Sequence, residues 1–214
     1  MIKNIIFDLG GVLIDLDMNG MQKACVELGV SPEVFFVPST EVETSTVCNG
    51  YSASRVISDY QVGKIPTPDF VQLVLSLCQQ GVSEQQLIDA WNSCLGTIPA
   101  SRIELIRSLR AMGYGICLLS NTNDLHWRYV EERYLSEKGL FDHIFLSHEM
   151  HLAKPDAEIY RQCIKQIGCK AEECLFIDDA KENIEAACRE GINGEWLDLT
   201  KEDAVSLIRR VLKK

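Results

Sequence analysis

The sequence predicts an α/β chain built on a parallel, doubly wound sheet, with a small helical module inserted near the amino terminus. Three observations carry this. Short apolar runs ending in a polar residue recur: Ile5-Ile6-Phe7 before Asp8, Ile116-Cys117-Leu118-Leu119 before Ser120, and Cys174-Leu175-Phe176-Ile177 before Asp178. Helix signals separate them, and strands that alternate with helices form parallel sheets covered on both faces. Finally, residues 17–90 carry helix signals without a comparable buried strand, and 214 residues suffice for a core domain with such an insertion.

The first strand ends in Asp8 and enters Leu9-Gly10-Gly11, which places a carboxylate at the carboxyl edge of the sheet, where open α/β folds bind ligands. Glycines allow turns closed to other residues and a close backbone approach to a bound group such as a phosphate or metal. A helix is expected over 19–28, stopped by Gly29. Thr67-Pro68-Asp69 opens another through Leu73 and Leu77 to Cys78, stopped by Gly81, and Ser83-Glu84-Gln85-Gln86 opens a third. Residues 40–51 are poor in aliphatics. The expected division is a core of 1–16 plus 91–214 and a mostly helical cap of 17–90.

Beyond the cap the alternation is regular. Pro99 starts a helix with Ile103, Ile106 and Leu109 on one face. The strand after Gly115 ends in Ser120-Asn121-Thr122; a polar helix over 125–134, a strand over 143–147 and a loop to Lys154-Pro155 follow. Ile159, Tyr160, Cys163 and Ile167 mark the inward face of the next helix, with Gly168 as its stop. The strand ending in Asp178-Asp179 leads to a helix carrying Asn183, a strand around Trp196 and a closing helix with Ala204, Ile208 and Val211.

Composition narrows the function. With 31 acidic against 21 basic side chains the net charge is -10, which disfavours nucleic acid or an anionic membrane as partner. No run approaches the ~18 apolar residues of a membrane helix, and Asp8 interrupts the first apolar run too early for a signal peptide. Nine cysteines at irregular spacing, none in CxxC, read as free thiols. A cytoplasmic location is expected.

Asp8, Ser120 with Asn121, Lys154, and Asp178 with Asp179 all follow strands, so a parallel sheet would gather them at one edge. Singly each has a bland reading: Ser-Asn-Thr as a turn, Lys-Pro as a loop entering a helix, Asp-Asp as a helix cap. Together and in this order, Phe7-Asp8-Leu9-Gly10-Gly11-Val12-Leu13, Leu119-Ser120-Asn121-Thr122-Asn123, Lys154-Pro155 and Phe176-Ile177-Asp178-Asp179 resemble the four motifs of the haloacid dehalogenase superfamily, whose core is Rossmann-like. The segment Tyr60-Gln61-Val62-Gly63-Lys64-Ile65 through Phe70 is similar to a recurring piece of its helical caps. Among subgroups, Ser120–Asn123 followed by Leu125-His126, and Phe7–Gly10 followed by Asp15 and Asp17, resemble most the bacterial α-D-glucose-1-phosphate phosphatases.

The resemblance implies a phosphatase for a small phosphorylated metabolite, a sugar 1-phosphate favoured. Asp8 would attack phosphorus and carry an aspartyl-phosphate that water hydrolyses. Mg²⁺ would be held by Asp8, the Gly10 carbonyl and Asp179. Lys154 would neutralise Asp8 and the phosphoryl oxygens, while Ser120 and backbone amides near Gly11 and Asn121 would bind the transferring group. Asp178 is expected to orient Lys154 or a metal-bound water, although the two neighbours are not separable by sequence. Asn183 either holds the same loop or is an exposed helix polar. Most phosphatases of the superfamily carry a second Asp where this chain has Gly10; Asp15, Asp17 and His126 are the remaining candidates for the proton donor. Two other readings stand: a haloacid dehalogenase using Asp8 without metal, and a weakly active binding or regulatory protein. Asn49, Gly50, Tyr51 and Arg55 are candidate cap contacts to the substrate.

Overall fold

A computed structural model of the chain describes residues 1–30, 36–38, 47–48, 51–53, 55–135, 137 and 139–212, the three short stretches between 36 and 53 through their backbone. The chain runs β1 (Asn4–Phe7), α1 (Met18–Glu27), β2 (Phe36–Pro38), β3 (Val47–Cys48), β4 (Tyr51–Ala53), α2 (Arg55–Gln61), α3 (Thr67–Leu75), α4 (Glu84–Asn92), α5 (Ala100–Ala111), β5 (Gly115–Ser120) and α6 (Asp124–Tyr134). It continues through β6 (His143–Leu146), α7 (Ser147–Met150), α8 (Ala157–Ile167), β7 (Cys174–Asp178), α9 (Lys181–Arg189), β8 (Asn193–Trp196) and α10 (Ala204–Val211).

β1 is the middle strand of a five-stranded parallel sheet ordered β6-β5-β1-β7-β8. Alternate side chains leave opposite faces of a strand, and both faces here are covered. Ile5, Phe7, Ile116, Leu118, Leu175 and Ile177 enter one core with Ile106 and Leu109 of α5 and Leu207 and Ile208 of α10. Ile6, Cys117, Leu119 and Phe176 enter the other with Ile159, Tyr160 and Cys163 of α8 and Ile184 and Ala187 of α9. This is why these strands read as unbroken apolar runs. The doubly wound sheet expected from the sequence is present.

The order also fixes where the chemistry sits. From β1 the chain builds outward through β5 and β6 on one side, then returns to add β7 and β8 on the other. The strand order therefore reverses beside β1, and the loops there diverge to leave a crevice at the carboxyl ends.

A third apolar cluster joins α1 to α4 through Met21, Cys25, Ile57, Tyr60, Phe70, Val71, Val74, Leu87 and Trp91, and includes Leu125 of α6. Tyr60 stacks on Phe70 with centroids 4.0 Å apart, and Phe70 meets Trp91 edge-on at 4.9 Å. Asp17 caps α1 by accepting from the Gly20 amide, and Ser83 with Gln86 forms the expected capping box on α4. Three details depart from the sequence reading. The region holds a three-stranded antiparallel sheet, β2-β4-β3, besides its helices. α3 ends at Leu75, so Leu77 and Cys78 lie beyond it. The expected division at residue 90 falls inside α4, and close contacts between the segments 15–17 and 94–97 lie just beyond it: Leu16 bridges Leu95, and the Asp15 and Asp17 amides donate to Thr97 and Cys94.

Candidate active site

At the crevice, Phe7 is in register with both Leu118 and Ile177, so Asp8 comes level with Leu119 and Asp178, and Ser120 stands one residue further along β5. Lys154 reaches in from the loop before α8. Its ammonium donates to Asp8 Oδ1 at 2.7 Å, to Asp178 Oδ2 at 2.6 Å and to the Leu119 carbonyl at 3.1 Å, which uses all three of its protons. Lys154 is 1% exposed. Burial by itself disfavours the ammonium, but the Asp178 and Asp8 carboxylates outweigh it and raise the pKa above the usual lysine value.

Asp178 is held from every side. Besides Lys154, it accepts from the Ala180 amide at 2.7 Å and from Asn183 Nδ2, which spans both carboxylate oxygens at 3.1 Å. Asn183 is therefore a buried support of this loop rather than an exposed helix polar. Asp179 has no side-chain hydrogen bond to another described residue and lines the cavity, while Trp196 Nε1 donates to its backbone carbonyl at 2.9 Å.

Asp8, Asp178 and Asp179 offer oxygens that all lie within 4.8 Å of one another. Burial, only partly offset by Lys154, and the two neighbouring carboxylates push Asp8 up to about 7. Burial, then Asp178, push Asp179 up to about 6. One lysine does not balance three carboxylates, and a divalent cation among them would. The Gly10 carbonyl accepts no hydrogen bond from a described residue, so the donor set is hard, anionic and oxygen-only, the chemistry that suits Mg²⁺.

Around this centre the expected residues divide. Ser120 is buried, lines the cavity, and its hydroxyl bonds to no described residue. The Asn121 side chain exchanges two bonds with the Lys154 backbone at 2.8 and 2.9 Å, so it fixes the lysine loop and leaves only its amide for a ligand. Gly11 is a correction: its N–H is committed to the Ile14 carbonyl at 2.8 Å, and it does not line the cavity. Its φ of +70° turns the chain, and a Cβ there would strike Asp179. The amides of Leu9 and Gly10, both lining residues, carry no acceptor among the described residues.

The candidate proton donors are otherwise engaged. Asp15 pairs with Arg102 at 2.8 Å and Asp17 caps α1; neither lines the cavity. His126 does, but its Nε2–H donates to the Trp91 carbonyl at 3.1 Å and its Nδ1 accepts from Asn123 Nδ2 at 3.2 Å. Burial, against the pull of that carbonyl, brings its pKa down to about 4, so it is neutral at pH 7. Among the cap candidates, Asn49 and Gly50 lie outside the described residues, as does the Tyr51 side chain, and Arg55 is exposed beside Asp59 at 3.7 Å.

Sequence reasoning missed two supports. Trp196 pairs in register with Asp178, so its place at a strand end was the available signal. Ser147 accepts from the Thr122 amide and stands 2.6 Å from the Gln61 carbonyl of α2, where its hydroxyl can donate; as the first residue after β6 it carried no distinguishing signal.

Comparison with known proteins bears on this arrangement. A curated D-ribitol-5-phosphate phosphatase of Bacteroides thetaiotaomicron is 29% identical over 86% of each chain. The sesquiterpene phosphatase astK of Aspergillus oryzae is 29% identical over 98% of this chain and 96% of its own. A wild-type haloacid dehalogenase family enzyme of Bacteroides thetaiotaomicron, solved with magnesium and inorganic phosphate, is 30% identical, with a TM-score of 0.78 over 94% of this chain and 97% of that one. The family profile described as haloacid dehalogenase-like hydrolase matches residues 2–189, and the chain belongs to that family of hydrolases.

Proposed function

We propose that this hydrolase is a Mg²⁺-dependent phosphatase that cleaves a small phosphomonoester through an aspartyl-phosphate on Asp8. The observation that carries the reading is the buried centre itself: Asp8 and Asp178 on one lysine, with Asp179 turned to the same cavity. A Asp8 carboxylate oxygen attacks phosphorus, the ester P–O bond breaks, and the alcohol oxygen leaves with the electron pair and takes a proton from water. A second water then attacks the phosphorus of the aspartyl-phosphate, releasing phosphate and restoring the carboxylate. Lys154 holds the attacking carboxylate in place and offsets its charge. Ser120 and the Leu9, Gly10 and Asn121 amides donate to the phosphoryl oxygens. Asp8, the Gly10 carbonyl and Asp179 would hold Mg²⁺, which would supply charge neutralisation for the meeting of two anions. Asp178 acts through Lys154, and Asn183 through Asp178.

The alcohol is a finer question. The named relatives act on a polyol phosphate and on a sesquiterpene phosphate, so they agree on the bond cleaved and differ in what leaves. Gly10 offers no acid beside the nucleophile, which favours leaving groups that need none: anomeric hydroxyls, acyl groups and phenols. Glucose 1-phosphate is expected to turn over better than glucose 6-phosphate.

The test is Asp8→Asn, which keeps size and removes the attacking charge. Phosphate release from p-nitrophenyl phosphate in Mg²⁺ is expected to fall about a thousandfold or more, with the melting temperature unchanged or raised, and EDTA is expected to silence the wild type. Wild-type turnover by Asp8→Asn, or full activity in EDTA with release of halide from a 2-haloacid, refutes the reading.

A further inference from the structure

Between the phosphoryl site and the cap lies a cavity of about 510 Å³. The catalytic loops form its floor. Its other side is built from Leu16, Met18, Met21, Ile57, Trp91 and Leu95, which is where the organic group of a phosphoester held on Asp8 must project.

Among the described residues the polar side chains on that side are few, and two are committed. His126 uses both ring nitrogens on Trp91 and Asn123, so it offers its ring face, stacked on Trp91 with centroids 5.1 Å apart. The Trp91 indole N–H points to Asn123 Oδ1 at 3.3 Å. Gln61 is the one described polar side chain of this wall that bonds to no described residue.

Apolar side chains also stand open to water at the cavity rim. Leu16 is 40% exposed, Trp196 41% and Leu199 51%, and all three line the cavity. The two leucines flank the nucleophile loop: a Cβ on Gly10 would lie 3.1 Å from Leu16 Cδ1, and one on Gly11 would lie 3.1 Å from Leu199 Cδ1. Large apolar groups left exposed together around a polar centre mark a surface that gains by being covered.

We propose that the organic group of the substrate is apolar, an aromatic or hydrocarbon body with no hydroxyl beyond the ester oxygen, rather than a sugar or polyol. The proposal rests on the phosphatase reading above. Lys181, Glu182 and Asp198 line the cavity where it follows β7 and β8, but a sugar hydroxyl that reaches the wall of Leu16, Met18, Met21, Ile57, Trp91 and Leu95 gives up water and finds there, among the described side chains, only Gln61 left to pair with it. A hydrocarbon entering it loses no hydrogen bond and buries apolar surface on both sides. Combined with the lack of an acid at Gly10, an aryl phosphate meets both demands.

Leaving-group acidity has to be kept out of the test, so the comparison is between cyclohexylmethyl phosphate and glucose 6-phosphate. Both are primary alkyl esters on a six-membered ring, and they differ chiefly in ring hydroxyls. Each is measured as a competitor of p-nitrophenyl phosphate hydrolysis in Mg²⁺. Cyclohexylmethyl phosphate is expected to compete at least tenfold more tightly, and Leu16→Asn and Met21→Asn are each expected to narrow that ratio several-fold. Equal or reversed competition, or a ratio untouched by both variants, overturns the proposal while leaving the phosphatase reading in place. Failure of the wild type to hydrolyse both p-nitrophenyl phosphate and acetyl phosphate would instead overturn the phosphatase reading, and this proposal with it.

Discussion

Asp178 and Asp179 are neighbours in sequence and opposites in environment. Asp178 is fully buried and accepts from Lys154, Asn183 and the Ala180 amide. Removing it leaves the lysine one carboxylate short and the Asn183 amide unpaired, so Asp178→Ala is expected to cost about 3–5 kcal/mol of stability, read by thermal or urea unfolding. Asp179 has no such partners, so Asp179→Ala is expected to cost little stability and to raise the Mg²⁺ concentration needed for half activity. A destabilised Asp179→Ala with an unchanged Mg²⁺ titration would exchange the two roles. Gly10 gives a second expectation at this scale. With Asp15 on Arg102, Asp17 on α1 and His126 neutral, none of these three is placed to protonate the departing oxygen. Log kcat/KM across aryl phosphates should therefore fall steeply with rising leaving-group pKa. A flat line would mean that another side chain supplies the proton, with Lys181 and Glu182 at the cavity the next to replace.

Strands and their ends were legible in the sequence because a strand covered on both faces must be apolar throughout and must turn polar where it emerges, as at Phe7-Asp8, Leu119-Ser120 and Ile177-Asp178. The sheet β2-β4-β3 was not, since strands of two and three residues, one ending in Pro38, are too short to show a period. The apolar cavity wall was equally hidden, because Leu16, Met21, Ile57 and Trp91 come from different elements, and only the fold brings them together. The same holds for His126, whose contacts with Trp91 tie α6 to α4. Its pKa is about 4 in the folded chain against an ordinary 6.5. The unfolded chain therefore takes up the proton first on acidification, so this contribution to stability is complete above pH 6.5, declines as the pH falls toward 4, and is constant below. Allowing for the half-buried position of His126, the loss is about 1–2 kcal/mol. The raised pKa values of Asp8 and Asp179 act in the opposite sense, so the readout is the difference between wild type and His126→Gln in melting temperature from pH 7.5 to 4.5. A constant difference across that range would show that His126 titrates normally in the folded chain.

At the scale of the molecule, the question is whether cap and core behave as two bodies. We propose two parts, a core and a cap, with the expected boundary at residue 90 moved past the end of α4 to where the chain crosses, at 15–17 and 94–97. The contacts across this boundary are extensive. Leu125 of α6 sits in the apolar cluster of the cap, and Thr67 Oγ1 donates to Asp124 Oδ2 at 2.8 Å. The Leu125 amide donates to the Tyr60 hydroxyl at 3.3 Å, and the Trp91 indole donates to Asn123. Trp91 is the shared piece, packed on Phe70 and Tyr60 on one side and on His126 on the other. A cap that loses this cluster loses its grip on α6, and α6 also carries Trp127 and Val130 into the main core. Unfolding of the cap should therefore draw the core with it in a single transition. Trp91→Ala removes a large buried side chain, at a cost of about 3–5 kcal/mol. In a chain of this size each kcal/mol lowers the melting temperature by about 2–4 °C, so one transition displaced downward by roughly 6–20 °C is expected in calorimetry. Two separate transitions, with the upper one left at the wild-type temperature, would show instead that the cap melts alone and that the bonds to α6 do not couple it to the sheet.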